Sequence, residues 1–189
     1  MLRSTLVILS LAFSVSATAA DFDYNYFAIG YGTTDFDDIN VDGDGFGVDG
    51  SYALNNDYHV FGSYESAGLD FGVDATTFSA GFGYNRGMTE TVDLVARLSY
   101  EYIELDAPGL GDVDDSGIGL GLGLRIAASS ELELNAGIEH VDYSDSGGDT
   151  GFAAGGLYNF TDTFSLGLAG KWSDDVSSYT LSGRFYFGE

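Results

Sequence analysis

The chain is dominated by segments in which apolar and polar residues alternate one by one. In the segment 116–127, one face carries Ile118, Leu120, Leu122, Leu124 and Ile126. The opposite face of the same segment carries glycines and Arg125. A period of two is typical of a β-strand whose two faces meet different surroundings. The pattern therefore predicts strands, and no amphipathic helix of useful length is apparent.

Ten segments of this kind follow one another, each about 9–12 residues long, which suits a tilted strand that crosses a bilayer. They are 24–33, 45–54, 58–66, 76–86, 92–103, 116–127, 131–141, 151–160, 164–172 and 178–187. We predict an all-β fold, a transmembrane antiparallel up-and-down β-barrel of ten strands, with eight as the alternative. The phase of the first strand is open, because either Phe27, Ile29 and Tyr31 or Tyr24 and Tyr26 could face lipid.

The connections between these segments alternate in length and charge. The short ones are 55–57, 87–91, 128–130 and 161–163, and the longer ones are 34–44, 67–74, 105–115, 142–150 and 173–177. The longer set contains 16 Asp residues. Membrane barrels have short turns toward the periplasm and longer loops outside. The sequence therefore predicts acidic extracellular loops.

Charged residues within the segments lie opposite the apolar rows. Four of the basic residues and six acidic ones share this face: Arg97, Arg125, Lys171, Arg184, Asp49, Glu65, Asp93, Glu101, Glu133 and Glu139. A membrane barrel turns its apolar face to lipid and keeps polar groups in the lumen. Because buried charges must pair, we expect a lumen charge network in which the four cations meet Glu65, Glu101, Glu133 and Glu139. Such a network could plug the barrel or line a narrow conducting pore.

Two further features favour a closed barrel in a membrane over a soluble sheet. The apolar rows end in aromatic residues, as at Tyr100, Trp172 and Phe187, and such rings suit the membrane–water boundary. An open sheet would expose two edges of unpaired backbone groups to hydrocarbon, at a cost of several kcal/mol per group. Pairing the first strand with the tenth removes both edges.

The composition places this barrel in an exported protein. Residues 1–20 combine a basic start, a ten-residue apolar run (6–15) and a small-residue cleavage signal, which predicts a signal peptide cleaved after Ala19 or Ala20. Residues 21–189 then form the barrel domain. The chain has no Cys, 28 Gly and 30 acidic against six basic residues. This negative charge excludes nucleic acid as a partner, because phosphate would be repelled.

Several stretches resemble the small outer-membrane β-barrel proteins of proteobacteria, within the broad OmpA-like barrel group. The similarity is closest to a family with precursors of similar length. The stretches are "YNYFAIGYG" (24–32), "YHVFGSYES" (58–66), "GFGYNRGMTETVDLVARLSYEY" (81–102) and "GRFYF" (183–187). The resemblance implies a barrel in the outer membrane of a Gram-negative bacterium, without an established catalytic activity.

The expected partners follow from this location. They are outer-membrane lipid, lipopolysaccharide and the outer-membrane assembly machinery, and we expect a monomer. The assembly machinery would recognise the aromatic terminal strand, in which one face carries Tyr179, Leu181, Gly183, Phe185 and Phe187. The role that we favour is structural or surface-interacting, with a narrow porin-like passive channel as the alternative.

The stretch "NVDGDG" (40–45) resembles the first half of a calcium-binding loop. A helix-flanked calcium loop needs Glu at its twelfth position, which here is Ser51 in the second predicted strand. We therefore interpret the stretch as a hairpin tip and expect no resident cofactor. Asn40, Asp42 and Asp44 are candidates for weak Ca²⁺ or Mg²⁺ binding, because clustered carboxylates repel one another until a cation joins them.

An enzyme is the least favoured interpretation. His140 would lie on the lipid-facing side near the outer rim, close in sequence to Glu139, Asp142 and Ser144. A His beside Ser and a carboxylate could act on lipid esters, but no recognised nucleophile motif surrounds it. His59 is expected inside the lumen near the periplasmic end. We predict no enzymatic activity.

Overall fold

The computed structural model describes residues 22–36, 41–109, 111–174 and 176–188. The predicted signal peptide lies outside these residues. Ten strands follow one another along the chain: β1 (Tyr26–Phe36), β2 (Val41–Ala53), β3 (Tyr58–Leu69), β4 (Val73–Thr89), β5 (Val92–Ala107), β6 (Gly111–Ala127), β7 (Leu132–Tyr143), β8 (Gly147–Thr161), β9 (Phe164–Trp172) and β10 (Val176–Tyr186). One 3₁₀ turn, Asp70–Gly72, connects β3 to β4.

Each strand pairs antiparallel with its neighbours in the sequence, and β1 pairs with β10 to close the barrel. The closing register runs from Tyr26 opposite Tyr186 to Phe36 opposite Val176. The fold class and the count of ten strands are confirmed, and the eight-strand alternative is wrong. Closure gives every strand two hydrogen-bonded neighbours, which leaves no open edge.

The outer face of the barrel is apolar. Leu120, Leu168 and Leu181 are 60%, 64% and 61% exposed, whereas His59 and Ser165 inside are fully buried. This is the reverse of a soluble protein and is the distribution that a lipid environment stabilises. The same contrast in exposure determines which face of the first strand meets lipid.

In β1, Phe27, Ile29 and Tyr31 are exposed on the outer face. Tyr24 and Tyr26 are buried inside the barrel instead. The first of the two alternatives from the sequence is therefore correct. Alternation alone could not decide which face of this strand points inward, because both faces carry large apolar or aromatic residues that could meet lipid.

Most residues of the predicted long acidic loops belong to β-strands in the structure. The β3–β4, β5–β6 and β7–β8 hairpins continue their ladders almost to the tip, as the pairing of Ala107 with Gly111 shows. We call this part the extracellular extension (33–36, 41–45, 66–76, 103–109, 111–116 and 142–149). Its polarity is reversed relative to the membrane band. Outward positions carry exposed acids such as Asp106 and Asp112, and inward positions carry Leu69, Leu105 and other apolar residues.

The reversal has a simple physical cause. Beyond the bilayer the outer surface meets water, so that carboxylates are favoured outside and apolar side chains turn inward. The strand ends predicted from the sequence were wrong at these hairpins, because the prediction stopped each strand where the outward apolar row ended. Within the described ranges, no helix is both long and apolar enough to cross a membrane.

Candidate functional site: the plugged lumen and its outer vestibule

The periplasmic end of the lumen is filled by a plug built around Arg125. Its Nε and Nη2 atoms donate to the two carboxylate oxygens of Glu133 at 2.8 and 2.9 Å, and Nη1 donates to the carbonyl oxygen of Asp23 at 3.1 Å. The guanidinium also lies over the rings of Phe22 and Tyr24, 4.7 and 4.5 Å from their centroids. The segment 22–25, which precedes β1, therefore enters the mouth of the barrel and binds the innermost cation.

A second set of contacts extends this plug across the lumen. The Tyr24 hydroxyl donates to Asp93 at 3.0 Å, and the Tyr24 ring stacks on His59 with centroids 4.7 Å apart. His59 also hydrogen bonds Asn85, whose amide donates to the carbonyl of Asn56. His59 is in the predicted place, near the periplasmic end of the lumen. The plug joins β3, β4, β5, β6 and β7 to the segment before β1.

Two glycines of β4 make room for these rings. A side chain at Gly83 would overlap the His59 imidazole, and one at Gly81 would overlap the backbone carbonyl of Leu98 and also meet the Phe61 ring at 2.8 Å. One inward glycine of β6, Gly121, differs in this respect. A Cβ at Gly121 would find its nearest neighbour 3.5 Å away, in ordinary contact. The space beside Gly83 is therefore filled by the plug residue His59, whereas Gly121 borders free space.

The middle of the lumen contains two arginines that bind rings rather than carboxylates. The Arg97 guanidinium lies 4.7 Å from the centroid of Phe61, and that of Arg184 lies 3.9 Å from the centroid of Tyr26. Neither cation has a carboxylate within 4.0 Å among the described residues. The buried Nε of Arg184 also has no hydrogen-bond partner there. These two members of the expected charge network do not form the predicted ion pairs.

Two of the four expected ion pairs occur. Arg125 and Glu133 form the buried pair described above. Lys171 approaches Glu139 at 3.7 Å, and the Lys171 side chain is 64% exposed. The remaining predicted carboxylates have other surroundings. Glu101 accepts a hydrogen bond from Ser79 at 3.0 Å, Asp49 and Glu65 line the lumen, and Asp93 is buried in the plug, where it accepts from Tyr24. None of these four carboxylates has a cation within 4.0 Å in the described chain.

Above the plug the lumen is hollow. A cavity of about 330 Å³ separates the Arg125 layer from Lys171. A larger cavity of about 680 Å³, which we call the vestibule, extends from Asp49 to the extracellular extension. The plug therefore ends partway along the barrel, and the space above it opens toward the outside of the cell.

Apolar residues from β10 and β1 to β5 line the mouth of the vestibule, and they were not predicted from the sequence. This apolar collar consists of Phe36, Val41, Leu69, Val73, Leu105 and Val176. Its members meet across the ladders, since Phe36 pairs with both Val41 and Val176, and Leu69 pairs with Val73. The signal that could have identified the collar is the alternation itself, which continues through the supposed loops with its polarity reversed.

The candidate calcium ligands do not converge in the described structure. Asp42 and Asp44 both point outward from β2. Asp44 accepts a hydrogen bond from the Tyr31 hydroxyl, and the Asp42 amide donates to Asp70 at 3.4 Å. Asn40 lies outside the described residues. Across the ranges that the structure describes, no group of three or more His, Cys, Asp or Glu side chains is arranged to hold a metal ion.

The surroundings of His140 do not assemble a catalytic group. His140 is exposed on the outer face, and its Nδ1 lies 2.8 Å from the Thr150 hydroxyl. Glu139 points into the lumen on the opposite face, where it approaches Lys171. Ser144 lies in the turn between β7 and β8, and its amide donates to the carbonyl of Ser116. Alternation separates His140 from the nearest acid in the sequence.

The terminal strand presents the predicted aromatic face. In β10, Tyr179, Leu181 and Phe185 are exposed on the outside, and Gly183 lies on the same face opposite Ile29. Phe187 follows the end of the strand, is 47% exposed and donates its backbone N–H to the Asn25 carbonyl at 3.1 Å. The terminal strand is therefore joined both to β1 and to the segment that forms the plug.

A closed ten-strand barrel with an apolar band, a polar lumen and acidic hairpins is an integral membrane barrel of the bacterial outer-membrane type. The family model for the outer membrane protein beta-barrel domain matches residues 5–171. The chain belongs to this family, which confirms the resemblance drawn from the sequence and supports a location in the Gram-negative outer membrane.

Solved structures share the fold at low sequence identity. An outer-membrane channel from Pseudomonas putida F1 is 11% identical, and the match covers 87% of this chain and 98% of the channel, with a TM-score of 0.57. The NanC porin is 9% identical, and its match covers 85% of this chain and 100% of the porin, with a TM-score of 0.52. At such identities the likeness concerns the fold alone. A comparison with curated proteins finds no significant sequence match.

Proposed function

We propose that this protein is a sealed outer-membrane barrel with a structural or surface-interaction role. The observation that supports this proposal is the plug of Arg125, Glu133, Phe22, Tyr24 and His59 at the periplasmic end. The segment 22–25 is held in the mouth by the Arg125 bond to the Asp23 carbonyl, by the Tyr24 bond to Asp93 and by the rings of Phe22 and Tyr24 on the guanidinium. These contacts resist opening of the plug, while the extracellular extension presents acidic hairpins and the vestibule to the outside.

Single-channel recording in planar bilayers tests the seal. We expect the mature protein to give no stepwise currents. The double variant Phe22→Ala/Tyr24→Ala removes both rings from Arg125 and is expected to conduct. The matched control Phe27→Ala/Tyr52→Ala removes one Phe and one Tyr from the outer face near the same end, and it should remain silent. Stepwise currents from the unmodified protein would contradict the proposal.

A narrow passive channel is the second candidate. Two observations favour it: the hollow lumen above the plug, and the rings rather than carboxylates that face Arg97 and Arg184. Conduction would require the segment 22–25 to leave the mouth. A bismaleimide crosslink between cysteines introduced at Tyr24 and His59, whose ring centroids lie 4.7 Å apart, would hold this segment in place. If the unmodified protein conducts and the crosslinked variant does not, the channel interpretation is correct.

We propose that divalent cations connect the acidic hairpins to lipopolysaccharide. The outward carboxylates of the extracellular extension would otherwise repel an anionic surface. The pKa of Asp106 is raised above its ordinary value, chiefly by the charge of the neighbouring Asp112, as expected for carboxylates that repel one another. Chelation with EDTA should weaken binding of the barrel to lipopolysaccharide vesicles, and equal binding without Mg²⁺ would exclude the bridge.

We propose that the barrel is a monomer and that its insertion into the membrane depends on recognition of the aromatic terminal strand by the assembly machinery.

We also propose that the barrel has no enzymatic activity. His140 hydrogen bonds the Thr150 hydroxyl, and within the described residues no carboxylate hydrogen bonds the imidazole to orient it as a base. Lipid A and phospholipid profiles of cells that express the protein should match those with His140→Ala. A difference between the two profiles would instead favour a lipid-modifying role.

A further inference from the structure

The vestibule combines an apolar mouth with an acidic wall. Its mouth is the apolar collar, with Asp70 in the turn at the rim, and its wall contains five further carboxylates: Asp49, Glu65, Glu101, Glu139 and Asp149. Its volume of about 680 Å³ lies within the range of pockets that bind small molecules, roughly 300–1,000 Å³. An apolar opening above an acidic wall is complementary to a molecule with one apolar and one cationic part.

The charges inside the vestibule are not balanced by its own cations. Only Arg97 and Lys171 face the six carboxylates within the described lining. Arg97 lies over the Phe61 ring, and Lys171 approaches Glu139 alone. Glu65 and Glu101 have no cation within 4.0 Å among the described residues. Carboxylates in a cleft with low-dielectric walls concentrate their field, which attracts cations from solution.

The outer surface around the vestibule also favours cationic ligands. The outward face of the extracellular extension carries exposed acids, including Asp35, Asp42 and Asp112, which repel anions and steer cations toward the mouth. At the rim, Phe71 is 85% exposed, although a large aromatic side chain gains free energy when it leaves water. This ring adds an apolar contact at the entrance.

We propose that the vestibule binds small amphiphilic organic cations. The amine or guanidinium group of the ligand meets Glu65, Glu101 and Glu139, and its apolar body lies within the apolar collar. An inorganic cation would make no apolar contact with the collar, and an anionic sugar would be repelled by the carboxylates. This ligand class specifies what the surface-interaction role proposed above would recognise. Binding depends on the vestibule and does not depend on whether the plug seals the lumen.

Fluorescence titration of the mature protein in zwitterionic nanodiscs tests the proposal. The probe is dansylcadaverine, which joins an apolar dansyl ring to a primary amine. The matched probe has the same dansyl ring and a carboxylate in place of the amine. We expect saturable binding of the amine probe, about tenfold or more tighter than that of the carboxylate probe. Protein-free nanodiscs supply the correction for partition into lipid.

Two double variants distinguish binding by the carboxylates inside the vestibule from attraction by the overall negative charge of the protein. Glu101→Gln/Glu139→Gln removes two charges inside, and we expect it to weaken binding of the amine probe by about tenfold. Asp106→Asn/Asp112→Asn removes two charges from the outward face of the same extension, and its effect should be less than about threefold. Equal losses in both variants would mean that long-range attraction alone holds the probe, and would overturn the proposal.

The apolar half of the site has its own test. Phe71→Asn removes the rim ring at a residue whose φ is +62°, a conformation that Asn accepts more readily than Phe. This variant should therefore fold and should weaken binding of dansylcadaverine, while binding of the purely polar cation spermidine changes little. Tight binding of the carboxylate probe, or unchanged dansylcadaverine binding in both Glu101→Gln/Glu139→Gln and Phe71→Asn, would exclude the site. Conductance tests the plug separately, so either proposal can fail without the other.

Discussion

At the scale of single residues, glycine decides where the lumen can be filled. Gly83 on β4 has the His59 imidazole directly above it, and His59 is held on its other side by the Tyr24 ring. Gly121 on β6 faces the same lumen but borders free space. The two positions look alike in the sequence, since both belong to inward glycine rows. Their different surroundings make them a matched pair.

We expect Gly83→Ala to destabilise the barrel by about 1–3 kcal/mol, the usual cost of forcing extra volume into a packed site. Gly121→Ala should change the free energy of unfolding little. Urea unfolding of both variants in lipid vesicles measures the difference. If the two variants were equally stable, His59 would not be fixed against β4 as the plug requires.

At the scale of elements, the hairpins of the extracellular extension are held by side chains as well as by ladders. Asp115 of β6 accepts hydrogen bonds from the Ser146 hydroxyl at 2.6 Å, the Ser146 amide at 2.8 Å and the Asp145 amide at 3.2 Å. The bond from the Ser146 hydroxyl is the main reason why the pKa of Asp115 is lowered from its ordinary value. One carboxylate therefore joins the β7–β8 turn to the neighbouring hairpin.

This contact predicts a pH-dependent turn. A carboxyl group whose pKa is lower in the folded state stabilises that state above its ordinary pKa, about 3.9 for Asp, and the contribution is lost as the pH falls through the lowered value. The amides of Asp145 and Ser146 should therefore be protected from hydrogen exchange at pH 7 and should lose protection below about pH 4. Exchange rates corrected for intrinsic chemistry measure this effect.

Asp115→Asn serves as the control for this turn, because an amide does not titrate in that range. In this variant the protection of the two amides should no longer change between pH 7 and pH 3. Identical pH profiles in the original protein and in Asp115→Asn would show that another group controls the turn.

At the scale of the whole molecule, the stability of the barrel depends on closure between β1 and β10. The chain contains no Cys, so that introduced pairs report on register without interference. Tyr31 lies opposite Leu181 across the closing seam, and Leu168 lies one strand further, opposite Leu181. Strands are about 4.8 Å apart, which places residues two strands apart beyond the reach of a disulfide.

We therefore expect Tyr31→Cys/Leu181→Cys to crosslink on oxidation in outer membranes, and Tyr31→Cys/Leu168→Cys to remain reduced. The unmodified barrel should also migrate faster on gels before boiling than after it, because a closed ladder resists detergent. Crosslinking of the Leu168 pair, or migration that boiling does not change, would contradict the closed ten-strand register.

The sequence by itself favoured ten strands over eight, and it determined the apolar outer face and the inward position of Arg97, Arg125, Lys171 and Arg184. These properties depend on alternation along one strand, which is a local rule with a period of two. Alternation could also have revealed the apolar collar, had the strands been followed past the point where their polarity reverses.

Only the tertiary structure decided which inward groups meet. Arg125 lies 102 positions from Asp23, and Tyr24 lies 69 from Asp93, so that their contacts depend on the register of every ladder between them. The same register gave Arg97 and Arg184 aromatic partners in place of the expected carboxylates. A pattern along one strand fixes the face of a side chain, but its height and neighbours in the lumen are fixed by closure of the whole barrel.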